Sequence, residues 1–146
     1  MPEPKEDCER VMNYGLPLAE QLLLHHGEFL PFGIAMRPNS EIVCLGAVDS
    51  RHYQPVSTSQ TELMHSLRNA FIAGARRQEY MTTALFYEAR ITLPDAAEPK
   101  DAVIISVHHR DGYAATVLFP YSLDGSDVRF ESPRAQAADF DIFSRD

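Results

Sequence analysis

This 146-residue chain is short of lysine, of cysteine and of glycine-rich motifs, and each shortage excludes something. Only two of its 13 basic residues, Lys5 and Lys100, are lysines, against 21 acidic residues and a net charge of −8. That balance argues against a protein that tracks nucleic-acid phosphates and against a polybasic membrane anchor. The expectation is therefore no nucleic acid and no membrane among the partners. Cys8 and Cys44 are too few for a disulfide framework and lack the spacing of metal-ligand pairs, so both are expected as free thiols in a reducing compartment. The longest apolar run near the N-terminus is three leucines, which predicts neither a secretory leader nor a transmembrane helix, and so a cytoplasmic protein. There is no G-x-x-x-x-G-K-[ST] or G-x-G-x-x-G to cradle a phosphate, and no G-x-S-x-G to present a serine. No motif implies a cofactor.

What is present is an ordinary globular composition, 45% hydrophobic and 23% charged, in a length that favours one domain able to bury its own core. The stretch Ala102–Tyr121 reads as a β-hairpin turning at Asp111-Gly112. A two-residue Asp-Gly loop suits a type I′ turn, which would pair Val107 with Thr116 and Ser106 with Val117. One face would then carry Val103, Ile105, Val107, His109, Thr116 and Leu118, and the other Ile104, Ser106, His108, Val117, Phe119 and Tyr121. Neither face is polar throughout, so both are expected to be covered, by helices of this chain or by a partner. A one-residue slip would exchange the faces.

Around this hairpin, residues 1–13 read as a flexible acidic N-terminal segment and 14–146 as a single α+β domain. Pro17–His26 reads as a short helix, with Pro17 in its first turn and Gly27 just past its end. Phe32–Met36 and Ile42–Val48 form a second hairpin, followed by a polar loop over Asp49–Ser59. Thr61–Glu79 is the strongest helix, opened by a Ser59-x-x-Glu62 capping box. Its apolar arc is Leu63, Met64, Leu67, Ala70, Phe71, Gly74 and Ala75. Tyr80–Thr92 is a strand, and Val128–Glu131 a short edge strand. The fold expected is an antiparallel sheet of about five strands packed by one long amphipathic helix, with a short N-terminal helix on the other side or at an interface. This order of elements resembles the roadblock and profilin-like domains. The segments LHHGEFLPFGIAM (residues 24–36) and ISVHHRDGYAATVLFPYSL (residues 105–123) resemble an uncharacterised bacterial domain family of about this length, a resemblance that implies no activity.

Three functional readings follow. The first is a non-catalytic interaction module, a homodimer or a binder of another protein, with Leu18, Leu22, Leu23, Phe140 and Phe143 as contact candidates; the bland alternative is that these residues cover the chain's own sheet. The second is a small-molecule-binding or metal-assisted enzyme, with His52, His108, His109 and Asp111 as the groups to test. A metal site would need one histidine from each pair, drawn from His26, His108 and His109, plus Glu28, Asp49 or Asp111, because adjacent strand residues point to opposite faces. The third is an immunity-type inhibitor of an effector enzyme. Two further patterns have bland readings. Asp49-Ser50-Arg51-His52 holds triad chemistry by proximity only, and Cys44 is expected as an inert buried thiol. Arg68, Arg76 and Arg77 share one helix with no acid between Glu62 and Glu79; a solvated face competes there with an anion-facing surface.

Overall fold

A computed structural model describes residues 3–45, 60–94, 97–125, 127–138 and 142–143. Among these there are two helices and seven strands in one antiparallel sheet. In chain order they are α1 (Pro4–His26), β1 (Phe32–Met36), β2 (Ile42–Leu45), α2 (Gln60–Arg76), β3 (Thr82–Ile91), β4 (Lys100–His109), β5 (Ala114–Asp124), β6 (Asp127–Phe130) and β7 (Arg134–Gln136). The strand order is β2-β1-β3-β4-β5-β6, with β7 also on β5. The α+β class and the antiparallel sheet agree with the sequence reading. Two short strands share the outer edge of β5: β6, the edge strand expected over Val128–Glu131, along Tyr121–Asp124, and β7, which the sequence reading does not include, along Thr116–Leu118. Among the described residues no helix is long and apolar enough to cross a membrane.

The central hairpin forms, but one residue out of the expected register. Ile105 stands opposite Val117, Ser106 opposite Thr116 and His108 opposite Ala114. The loop is three residues, Arg110–Gly112. His109 N–H donates to the Tyr113 carbonyl (2.7 Å), and Gly112 N–H donates to the His109 carbonyl (3.0 Å). Of the loop residues only Gly112 has positive φ, at 104°. A type I′ turn needs two such positions, whereas a three-residue loop needs only one left-handed residue at its end. The slip exchanges every side chain of β5. Ala115, Val117, Phe119 and Tyr121 now share a face with Val103, Ile105 and Val107, in one apolar cluster. Thr116 and Leu118 lie on the other face with Ile104, Ser106 and His108. The sheet thus has one strongly apolar face and one mixed face.

Helix α1 covers the apolar face, and it is 23 residues long rather than ten. The expected flexible segment 1–13 is helical from Pro4, which occupies the first turn where a missing N–H costs nothing. Asp7, Cys8, Val11, Gly15, Ala19, Leu22 and Leu23 are all buried, at helical spacing along one stripe. Exposed Pro17 lies within the helix but off that stripe, on the solvent side. The helix ends as the sequence suggests, with Gly27 at φ 73° and its N–H on the Leu23 carbonyl (2.8 Å). The helix approaches the sheet closely at Gly15, where a Cβ would overlap the ring of Phe86, itself stacked on Phe32 at a 4.9 Å centroid distance. A glycine in mid-helix costs about 1 kcal/mol relative to alanine, and the close approach over two aromatic rings offsets it.

The contact candidates Leu22 and Leu23 are therefore corrected. Both are fully buried in the chain's own core, and Leu18 is half-buried against it. Leu22 and Leu23 have no surface left for a partner because α1 is long enough to sink its whole stripe into the sheet.

Helix α2 lies on the mixed face, over β1 and β3. Its Phe71 is buried with Ala35, Leu85 and Ile142. Ser59, the expected cap, and the Asp49–Ser59 loop lie outside the described residues, as do His52 and Phe140.

Candidate functional site

On the mixed face a cleft of about 540 Å³ opens beside the C-terminal end of α2. It is lined by Ala75, Arg76, Gln78, Tyr80, Arg110, Asp111, Ile142 and Phe143. Local hydrogen bonds build it. Glu79 N–H donates to the Gly74 carbonyl (2.9 Å) and Gln78 N–H to the Ala75 carbonyl (3.0 Å), with Gln78 at φ 60°. This is a Schellman closure, here with glutamine where glycine is usual. The chain then turns back so that the Tyr80 ring lies against Gly74, where any Cβ would overlap it. The same ring meets Phe71 edge-on at 6.3 Å and 85°. Met81 next donates its N–H to the Met36 carbonyl (2.8 Å) and accepts the Arg110 N–H on its own carbonyl (2.9 Å). Those two bonds bring the tip of the β4–β5 hairpin beside the end of α2. They bring Arg110 onto the lining of the same cleft as Arg76.

The two guanidinium groups have no ion-pair partner among the described residues. Other surface arginines do, in Arg37–Glu41 (3.8 Å), Arg77–Glu79 (3.2 Å), Arg90–Asp101 (3.6 Å) and Arg129–Asp124 (3.2 Å). Of the three arginines that the sequence places on this helix, Arg77 is thus occupied, Arg68 is half-buried and Arg76 faces the cleft.

Among the described residues the two histidine pairs are not brought together. His108 and His109 point to opposite faces of β4, as alternation requires. His109 is buried on the α1 face. Its Nε2 lies 3.0 Å from Asp7 Oδ2, and its Nδ1 accepts the Asp111 N–H at 3.0 Å. Since Nδ1 is the acceptor, the proton sits on Nε2 and is donated to the Asp7 carboxylate. Both ring nitrogens are engaged and the ring is covered, so the His109–Asp7 pair ties the start of α1 to the hairpin loop and has no nitrogen to offer a substrate or metal. Exposed Asp111 serves this pair through its backbone, with its carboxylate 3.8 Å from Nδ1. His25 and His26 are exposed at the C-terminal end of α1, where a cation meets the negative end of the helix dipole. Among the described residues no group of three histidine, cysteine or acidic side chains is arranged to hold a metal ion.

The mixed face carries a buried polar seam. Thr83 pairs with His108 across β3 and β4, and Ser106 with Thr116 across β4 and β5; all four are buried. Among the described residues the hydroxyls of Thr83, Ser106 and Thr116 have no hydrogen-bond partner. At the far end of the sheet Glu88 accepts the Phe29 N–H (2.6 Å) and the Tyr121 O–H (3.4 Å). Burial pushes the Glu88 carboxyl above the ordinary glutamate range, against the pull of those two donors. Burial, then the nearby Glu88 and Asp101 carboxylates, raise the Tyr121 phenol.

Both cysteines are free thiols, but Cys44, expected buried, is exposed, and the buried one is Cys8. Cys8 is fully buried in α1, and burial, followed by the Asp7 and Glu9 carboxylates, pushes its thiol up to about 12. Cys44 is exposed on edge strand β2, with its thiol raised by partial burial and lowered by a hydrogen bond from Tyr14. It was expected buried because β2 reads as an interior strand, whereas β2 pairs only with β1 among the described residues.

Sequence reasoning missed Arg110, Tyr80 and Ile142 as neighbours of Arg76. Phe143, one of the contact candidates, does line the cleft, half-buried. The only local signal was the arginine cluster on α2 and the apolar residues of the tail; which hairpin tip meets them depends on strand order. No family model, curated protein or solved structure matches this chain.

Proposed function

We propose that this chain is a non-catalytic protein-interaction module that receives a protein partner on the α2 side of its sheet, in the first instance a second copy of itself. The observation that supports this reading is the incomplete cover of α2. Of its 17 residues only Phe71 and Gly74 are buried. Leu63, Met64, Leu67 and Ile72 are half-buried, so the apolar arc of the helix is only partly used by the chain's own sheet. Half-used apolar side chains rimmed by charge are what protein interfaces complete. The cleft at the end of the helix continues the same surface.

The test is the mass of the untagged protein by native mass spectrometry and analytical ultracentrifugation across a concentration series. The expected result is a dimer that Leu67→Glu breaks while leaving the cooperative melt in place. A wild-type protein that stays monomeric at every concentration would sink the self-association.

A further inference from the structure

We propose that the cleft between the end of α2 and the β4–β5 hairpin tip is a receptor for an acidic peptide segment of a partner protein. On this assignment Arg76 and Arg110 take its carboxylates, and the wall of Tyr80 and Ile142 takes an adjoining large apolar side chain. The inference deepens the reading of the α2 side as an interaction surface and rests on it.

Charge carries the first part of the argument. The chain has a net charge of −8, and four of its surface arginines are matched to carboxylates nearby. Arg76 and Arg110 come from distant parts of the chain, line one cleft, and have no carboxylate partner among the described residues. Two guanidinium groups that line one cleft make it electropositive, and an anion bound there is attracted by both. Among the described residues the acid on the lining is Asp111, which stands at the His109 end, where its backbone N–H is engaged by the ring.

Shape carries the second part. The cleft has the volume of a small-ligand or side-chain pocket, it is open to solvent, and the last turn of α2 bounds it through Ala75 and Arg76. A free small anion would use the arginines alone and leave the aromatic and aliphatic wall wet. A peptide uses both, and its chain can run on along α2.

Rigidity carries the third. The Schellman closure, the Tyr80 ring seated on Gly74 and the paired hydrogen bonds of Met81 hold the lining in place before any partner arrives. A preformed lining lowers the ordering cost of binding.

The test uses the full chain and three fluorescein-labelled synthetic peptides, read by fluorescence polarisation and by amide shifts of the isotope-labelled protein. One peptide carries Asp and Glu flanking a Phe, the second has Asn and Gln in place of the acids, and the third has Ala in place of the Phe. The first should bind, with shifts at residues 75–80 and 110–112, and should weaken as salt is added. The second should bind about tenfold more weakly and the third several-fold more weakly. Arg76→Gln and Arg110→Gln, both at exposed positions, should each lower affinity about threefold to fivefold, the range of a partly exposed charge pair. Equal binding of the neutral peptide, shifts confined to other surfaces, or no binding of any acidic peptide overturns the proposal. So does inorganic phosphate or acetate giving the same shifts at lower concentration than the peptide, which would make this a small-anion site.

The same samples separate this inference from the reading beneath it. A wild-type dimer broken by Leu67→Glu, with no peptide bound, removes the receptor alone. A monomer that binds the acidic peptide removes self-association alone.

Discussion

The two faces of the sheet are built to different standards. Under α1 the sheet presents Phe32, Ile34, Phe86, Val103, Ile105 and Val107, all fully buried. The helix answers with seven buried residues. On the other face the sheet presents Ala35 and Leu85 to α2 and carries the seam of Thr83, Ser106, His108 and Thr116, and the helix answers with two buried residues. Hydrophobic stabilisation follows the apolar area removed from water. Most of the hydrophobic stabilisation among the described residues therefore comes from the α1 face. The α2 face keeps an open cleft, half-covered leucines and buried hydroxyls whose desolvation the α1 face must offset. A small domain that must both fold and bind can divide the two demands between the sides of one sheet.

The strongest way to test that division is to delete apolar volume on each side. Phe86→Ala, beneath Gly15 and beside Phe32, should cost about 3–5 kcal/mol, the range for a large buried aromatic. Leu67→Ala on half-covered α2 should cost about 1 kcal/mol. Guanidinium denaturation midpoints of the two variants measure the difference. Equal losses would mean that α2 is as much a part of the core as α1.

The next effect concerns the buried pair that holds α1 to the hairpin. Asp7→Ala leaves the His109 Nε2 proton without an acceptor and should cost about 2 kcal/mol. Asp7→Asn keeps an oxygen in the same place and should recover most of that loss. If Asp7→Ala is silent in thermal melts, the start of α1 contributes nothing to stability and the expected flexible N-terminal segment is restored.

The smallest effect is on the α2 side. Gln78 holds a left-handed conformation that costs a non-glycine residue about 1 kcal/mol. Gln78→Gly should therefore raise stability by about 0.5–1 kcal/mol, partly offset by the greater freedom of glycine in the unfolded chain. A destabilised variant would show that the glutamine side chain makes contacts that outweigh the strain.

Several elements were legible in the sequence because their signals are local. Gly27 marks the end of α1, Phe32–Met36 alternates as a strand, and the α2 arc recurs at helical spacing around Phe71 and Gly74. The start of α1 was not legible. Glu6, Glu9 and Arg10 give residues 4–13 a polar look, and the stripe of Cys8, Val11 and Gly15 is made of small residues that become a core only when the Phe86 ring is beneath them. Pro17 reinforced the misreading, since a proline on the solvent side of a long helix has the same local signature as one at a helix start.

By itself, then, the sequence determined the antiparallel α+β class, the central hairpin, the existence of both helices and the opposite facing of His108 and His109. Each follows from side-chain periodicity or from the chemistry of a turn, and both act over a few neighbouring residues. Only the tertiary structure decided the hairpin register, the depth to which each helix sinks and the meeting of Arg76, Tyr80, Arg110 and Ile142 in one cleft. The register turned on a single extra loop residue, chosen because it places Val117, Phe119 and Tyr121 in the core. The cleft turned on which strands lie side by side, and that is settled by the burial of the whole apolar face at once.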